Sequence, residues 1–472
     1  MKVAFLTAIT VPLLVAAHKP HVLPRQATSS ATPSPASAAS APPAAATPSA
    51  SGSVLPTFAY SLAATNPTAA PLSLISSGTL TSQTLALSTT EAAGAVPTYF
   101  SNAPPLPDLS TVLPASYPTL DKTPPTDSPE VLAWIAEVNA SGIAIPNIAP
   151  TVAGGCPTNA AAVADTSRCW WTCGGCVRDT DVTTCPDKLT WGLTHDDGPA
   201  PFTPNLLAYL AQVNLTTTFF NVGSRVISYP NTLRDEYMSG NQVAVHTWSH
   251  PFMTTLTNEE IIAELGWTKK VIKDVLGVTP LYWRPPYGDI DDRVRAIGQA
   301  MNLIPVMWTR LSATVTFDTG DFNIAGGTDS PSEVLYNWQN IVSNASTIDT
   351  GFIVLEHDLF LQSVEIATGY ILPAALANNP PLKIEPVITC LHKTFNEAYI
   401  ETNPNATNPI PNSGNNSSSS TTSGGGAQAS GSSGSGSGSA ASKTNGAVSN
   451  SGLFTAVGFV ALVFVSSLNL LL

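Results

Sequence analysis

The sequence predicts one parallel α/β domain, of a length that suits a barrel, held between two uncharged low-complexity tails. Three observations carry this expectation: where the charges lie, where the cysteines lie, and how strand-like and helix-like runs alternate between them. Charged residues make up 11% of the 472, against ~25% in ordinary globular domains. None occurs from Gln26 to Thr90, and Lys443 is the only one after Glu401. All 32 acidic and 15 of the 19 basic residues lie between Glu91 and Glu401, so this block carries −17 against −13 for the whole chain. A single 472-residue globule is excluded. So is a phosphate-tracking nucleic-acid binder, which would be basic.

The six cysteines are Cys156, Cys169, Cys173, Cys176, Cys185 and Cys390. An even number in an exported chain argues for three disulfides. Cys390 stands far from the rest, so its partner belongs to the 156–185 cluster and clasps the end of the domain to its beginning. Cys173-Gly-Gly-Cys176 also has the form of half a zinc knuckle, a reading that an oxidising compartment disfavours.

Within those limits the elements follow in order. Leu189 to Leu193 reads as a strand and Asn205 to Val213 as a helix. Thr216 to Phe220 and Gln242 to Val245 are strands. Thr257 to Leu276 is the clearest helix: Thr257 and Glu260 form a capping box, Ile261, Leu265, Ile272 and Val275 an apolar face, and Gly277 a stop. A strand at Leu281 to Trp283, a helix near Asp291 to Met301 and a strand at Leu303 to Trp308 come next. Ser330-Pro331-Ser332-Glu333 opens a further helix, and Phe352 to Leu355 is the last strand. Such alternation suggests a parallel sheet, and some 240 residues suit a barrel.

The ends read differently. Residues 1–17 have the form of a secretory signal: Lys2, an apolar run from Val3 to Val15, then Ala16-Ala17. The run is short for a membrane span of about 20 residues. Residues 18–150 form a linker and lead-in, Ala/Ser/Thr/Pro-rich up to Glu91, as in O-glycosylated stalks. The domain is expected at 151–400 and a Ser/Gly/Asn-rich linker at 401–445. Residues 446–472 end in an uncharged apolar tail behind small residues, the pattern of a removable glycosylphosphatidylinositol attachment signal. Asn445-Gly446-Ala447 is the best attachment triplet; Ser442 or a residue near Gly436 is open as an alternative. Sequons stand at Asn139, Asn214, Asn344, Asn405, Asn415 and Asn416.

Several strands end in residues of catalytic type: Asp196-Asp197, His246, Arg284 and His357. The C-terminal ends of strands are where α/β barrels build active sites. His246-Thr-Trp-Ser-His250 spaces two imidazoles four residues apart, on one side of a helical turn. With one carboxylate they make a set that holds a zinc-like metal and leaves coordination positions open. Alone, such a spacing is weak, and Asp196-Asp197 alone is weaker still, since paired acids usually make a solvated turn and Gly198-Pro199 fits one.

Thr194-His195-Asp196-Asp197-Gly198-Pro199, His246-Thr-Trp-Ser-His250, Arg284-Pro285-Pro286-Tyr287-Gly288 and Leu355-Glu356-His357 occur in this order and at suitable spacing. Together they resemble the motif set of the polysaccharide deacetylase family of carbohydrate esterases, over about residues 150–400. The flanking tails resemble those of fungal chitin deacetylases anchored at the cell surface. The resemblance implies a distorted (β/α) barrel and one divalent metal ion, zinc or cobalt, on Asp197, His246 and His250. It implies Asp196 as general base, in contact with substrate and acetate, and Arg284 as its orienting partner. It implies the Tyr287 backbone N–H as an oxyanion donor and His357 as general acid. The remaining motif falls at Asp318-Thr-Gly-Asp321-Phe322, where either acid orients His357.

Two departures stand out. His195 occupies a position usually held by an aromatic such as Phe, and is read as a packed ring. Phe322 occupies a position usually held by Trp. The implied reaction is N-deacetylation of chitin to chitosan and acetate, by a monomer secreted to the membrane or wall through the anchor. Another acetylated polysaccharide such as acetyl-xylan, or a non-catalytic wall-binding role, are the competing readings. Trp170, Trp171, Trp248, Trp283 and Trp308 lie near the cleft segments, either to stack on sugars or to fill the core.

Overall fold

The computed structural model describes residues 58–77, 84–87 and 90–404. The expected signal peptide, most of the stalk, the Ser/Gly tract and the anchor signal lie outside the described residues. Among the described residues no helix is long and apolar enough to cross a membrane.

Among the described residues, eight short strands carry the fold: β1 (Thr190–Gly192), β2 (Thr194–Asp196), β3 (Thr218–Asn221), β4 (Gln242–Val245), β5 (Tyr282–Trp283), β6 (Ile304–Pro305), β7 (Phe352–Ile353) and β8 (Lys383–Glu385). They form two sheets, β7-β1-β8 and β2-β3-β4-β5-β6. Every pairing is parallel. β1 and β2 are two halves of one extended run that changes neighbours at Leu193. Leu193 N–H donates to Glu385 O, and Leu193 O accepts from Thr218 N–H, each at 3.0 Å. Beyond β6, Thr309 N–H donates to Ile353 O at 3.0 Å and Leu355 N–H to Phe317 O at 2.9 Å. These bonds join the far edge of the larger sheet to β7 and close a distorted barrel.

Three of the helices around it follow the sequence signals. α2 (Thr203–Val213) begins two residues earlier than expected, at Thr203-Pro204. α5 (Asn258–Leu276) carries the predicted capping box and stops at Gly277, whose φ of 82° suits glycine. α7 (Pro331–Ala345) is capped by Ser330. α6 (Asp292–Ala300) has Asp291 as its cap rather than its first residue. Among the helices not visible in the sequence are α3 (Gly223–Ser228) and α4 (Pro230–Met238). α4 buries Arg234, Asp235 and Glu236, so it shows no apolar stripe to read.

The lead-in is the main correction to the expected boundaries. Residues 90–150, grouped with the linker, pack on the barrel, and Leu106, Val131 and Val138 belong to its core. α1 (Pro129–Ala140) is capped by Ser128 and crosses α5 with Trp134 edge-on to Trp267 at 5.5 Å. Gly266 permits this approach, because a Cβ there would sit 2.2 Å from the Trp134 ring. Part of the uncharged tract is also structured. In residues 58–77, Ile75 is fully buried, with Tyr60, Leu62 and Leu72 packed against the second core. A tract without charge still folds back wherever it carries enough apolar side chains.

The disulfides are Cys156–Cys173, Cys169–Cys176 and Cys185–Cys390. The last ties chain segments 205 residues apart, as the cysteine spacing predicts, and Cys173 and Cys176 pair with separate partners rather than forming a knuckle. Closing so long a loop restricts the unfolded chain strongly. Replacing Cys185 and Cys390 together by Ser is expected to cost about 2–5 kcal/mol, toward the upper end, read as a lowered midpoint in denaturant unfolding. Asn139 and Asn214 are exposed and Asn344 is half-buried, so these sequons are open to modification to that extent.

Candidate active site

The site forms where β2, β4, β5 and β7 end. β2 runs on to Asp196, and Asp197 turns away with φ 77°. The Gly198–Pro199 peptide that follows is cis. His246 follows β4 directly. The 246–250 segment is a tight bend rather than the expected helical turn, with Thr247 and His250 at φ 66° and 60°. Non-glycine residues at positive φ are held by their surroundings. Here Glu264 on α5 does the holding: its carboxylate accepts the N–H groups of Trp248 (2.7 Å) and Ser249 (2.9 Å) and the Ser249 hydroxyl (2.5 Å). Glu264 was missed from sequence, although a carboxylate on the apolar face of α5 was the available signal. Burial raises its carboxyl to about 7 despite those donors.

Three ligand atoms converge. Asp197 Oδ1 lies 3.3 Å from His246 Nε2 and 3.1 Å from His250 Nε2. His246 Nδ1 bonds Arg284 O at 2.7 Å, which makes it the protonated nitrogen and leaves Nε2 with a free lone pair. Burial lowers the His250 pKa, favouring its neutral, ligating form, against the pull of Asp197. Burial would raise the Asp197 carboxyl, but His250 and His246 hold it well below the usual range. Asp197 Oδ1 is buried with no hydrogen-bond donor. Donor atoms about 2.0–2.2 Å from one ion stand roughly 3.3 Å apart in a tetrahedron, so this set fits a divalent metal. Among the described residues it is the group of three acid, His or Cys side chains close enough to hold one.

Beside it, Arg284 is fully buried. Its Nη1 donates to Asp196 Oδ1 (2.7 Å) and Thr194 Oγ1 (2.9 Å), and its Nε to Val306 O (3.1 Å). Asp196 Oδ2 lies 3.8 Å from His246 Nε2. His357 stands across from this pair: Asp196 N–H donates to Glu356 O (2.9 Å) and Asp358 N–H to Asp196 O (3.1 Å). Asp358, also missed from sequence, accepts from the Thr203 hydroxyl and braces Gly198, where a Cβ would meet its carboxylate at 2.5 Å.

The choice between the two acids of the fourth motif falls to Asp321. Its Oδ1 accepts from His357 Nδ1 at 2.8 Å and its Oδ2 from His357 N–H at 2.9 Å. Asp318 accepts instead from Gly320 N–H at 2.9 Å; it feels the charge of His357, but the orienting hydrogen bonds come from Asp321. Burial would lower the His357 pKa, but the Asp321 carboxylate outweighs it and holds the imidazole protonated, up to about 10. Tyr287 sits at φ 58° between Pro286 and Gly288, its ring edge-on to His250. Phe322 lies 5.1 Å from the His357 ring. His195 is fully buried with Nδ1 3.0 Å from Thr217 Oγ1, outside the ligand set. Burial lowers its pKa to about 3. Trp170, Trp171, Trp248, Trp283 and Trp308 are all buried, so they are core and supply no stacking surface.

A carboxylate fixed by an arginine, a metal set within 4 Å of it and a protonated imidazole opposite are suited to hydrolysis at an acyl carbon. The fold and site define a metal-dependent deacylating hydrolase on an α/β barrel. Residues 183–306 match the family model Polysaccharide deacetylase. The chain is 55% identical over 340 residues to chitin deacetylase 1 of Cryptococcus neoformans var. grubii, covering 71% of each. It is 39% identical over 252 residues to chitin deacetylase 2 of Cryptococcus neoformans var. neoformans, covering 50% of this chain and 51% of that one. The solved chitin deacetylase of Colletotrichum lindemuthianum aligns at TM-score 0.42 and 23% identity, over 48% of this chain and 97% of that one. The chain belongs to the polysaccharide deacetylase family, whose members use a divalent metal.

Proposed function

We propose that this chain hydrolyses the N-acetyl groups of chitin, giving chitosan and acetate, outside the cell. The observation that carries it is the Asp196–Arg284 pair lying against the Asp197–His246–His250 set with the Asp321-held His357 opposite. The names of the relatives at 55% and 39% identity favour chitin over other acetylated polymers. Asp197, His246 and His250 would hold the metal, and two imidazoles with one carboxylate suit zinc or cobalt. When bound, the metal supplies Lewis-acid polarisation of the acetyl carbonyl and a lowered pKa for attacking water.

The chain's own groups do the rest. Arg284 holds one oxygen of Asp196, leaving the other to take a proton as water attacks the acetyl carbon. The Tyr287 backbone N–H would donate to the oxygen that becomes negative. His357, kept charged by Asp321, gives its proton to the departing amine as the carbon–nitrogen bond breaks. Water and acetamide thus become acetate and a free amine.

Secretion and anchoring at the outer membrane face or wall, as a monomer, complete the proposal. The leader at residues 1–17, the terminal apolar tail and three disulfides support it, since disulfides persist in oxidising compartments. The test is acetate release from chito-oligosaccharides and from acetyl-xylan, with and without chelator. Release from the former, lost with chelator and restored by zinc or cobalt, is expected. Chelator-insensitive release would overturn the metal site, and release from acetyl-xylan alone the substrate.

A further inference from the structure

With the tryptophans buried, the aromatic surface near the site lies elsewhere. Phe252 follows the second imidazole by two residues and is 41% exposed. Its ring lies flat on Tyr287, with centroids 4.0 Å apart and planes 12° from parallel. The Tyr287 ring in turn meets the His250 ring edge-on at 4.6 Å and 66°. A ladder of rings therefore runs from a metal ligand outward to solvent. Single exposed apolar side chains are ordinary; this one is fixed in orientation and continuous with the site. On the other side, Phe322 and Phe360 stand 5.1 Å apart beside His357, so rings bound both flanks of the reacting centre.

We propose that the open face of Phe252 is a specificity-determining surface that stacks on the sugar unit next to the one being deacetylated. A β-linked pyranose with equatorial substituents presents a face of C–H bonds. Placing it on an aromatic face removes apolar area from water on both sides and sets C–H groups against the ring's negative face. The ring is preorganised by Tyr287, so little side-chain entropy is lost on binding. A neutral acetamido polymer suits this surface, which offers no charge for an acidic chain to pair with. The inference rests on the proposed chitin substrate.

The alternative is that Phe252 only supports Tyr287. Steady-state kinetics on chito-oligosaccharides from dimer to hexamer separates the two, using wild type, Phe252→Ala and Phe252→Trp. If Phe252 carries that neighbouring sugar, Phe252→Ala raises KM about tenfold from the dimer upward, with kcat within about twofold, and Phe252→Trp recovers KM. If it only supports Tyr287, kcat falls alike at every length and KM does not move, which overturns the proposal. An unchanged KM at every length also overturns it, while leaving chitin deacetylation intact. Wild type that releases no acetate from any of these oligomers overturns the substrate reading, and this inference with it.

Discussion

Asp196→Asn is expected to reduce acetate release by about 10²–10⁴-fold, the contribution of a positioned general base, while leaving metal content unchanged. The side chain is buried, one oxygen is engaged by Arg284 at 2.7 Å and the other faces the site. An amide keeps the shape and one acceptor but cannot take up a proton. His246→Ala makes the necessary contrast, because it removes a ligand atom and should lose both activity and metal. Measuring acetate release and bound metal on the same preparations separates the two roles. Wild-type rates in Asp196→Asn would end its assignment as base. The variant should also be less stable. Arg284 is wholly buried, and removing its counter-charge leaves a buried guanidinium with only neutral acceptors, the new amide oxygen, Thr194 Oγ1 and Val306 O. Breaking such a pair costs about 3–5 kcal/mol, and the bonds that remain hold the loss toward the lower figure. The thermal midpoint should fall while the circular dichroism of the folded state is kept.

What the sequence shows of this site is what short motifs carry. Asp196-Asp197, the His246–His250 spacing and His357 each sit at a strand end, so their convergence follows once the strands are parallel and adjacent. Contacts that depend on tertiary packing were hidden. Asp318 and Asp321 are three positions apart, and which of them faces His357 depends on how the chain turns after Asp318, where it pairs with Leu355. Glu264 reaches the metal-ligand bend from the following helix, 16 and 15 residues beyond the Trp248 and Ser249 groups it holds. The tryptophans illustrate the same limit from the other side, since aromatic residues near a motif are consistent with cleft or core until packing is known. In the fold, α5 and α7 were legible from their caps, whereas α4 was not, because it buries charge. The strand switch at Leu193 leaves no trace in composition, as both halves of the run are equally buried. The lead-in was obscured by its proline-rich, weakly periodic sequence, although its apolar residues reach the core.

Asp321→Asn tests the other half of the mechanism through its pH dependence. His357 acts as an acid only while protonated, so activity is present below its pKa and lost as pH rises through it. Burial and the surrounding carboxylates, Asp321 first and then Asp197 and Asp196, oppose each other at this ring. Burial favours the neutral form, and the Asp321 carboxylate, bonded to Nδ1 at 2.8 Å, favours the charged one and prevails, holding the pKa up to about 10. Removing that carboxylate's charge leaves burial opposed only by the charges of Asp197 and Asp196, and the pKa drops. The alkaline limb of the kcat/KM profile should therefore move to lower pH. Near pH 8 the variant should lose most of the roughly 10²–10⁴-fold that a general acid contributes, and recover part of it on acidification. A bound divalent cation lowers the His357 pKa in wild type and variant alike, so the separation between the two profiles is the quantity to read. The Asn side chain can still accept a hydrogen bond from the imidazole, which keeps the ring placed and confines the change to charge. Coincident alkaline limbs would show that Asp321 does not set the proton on His357, and would leave the leaving amine without its assigned donor.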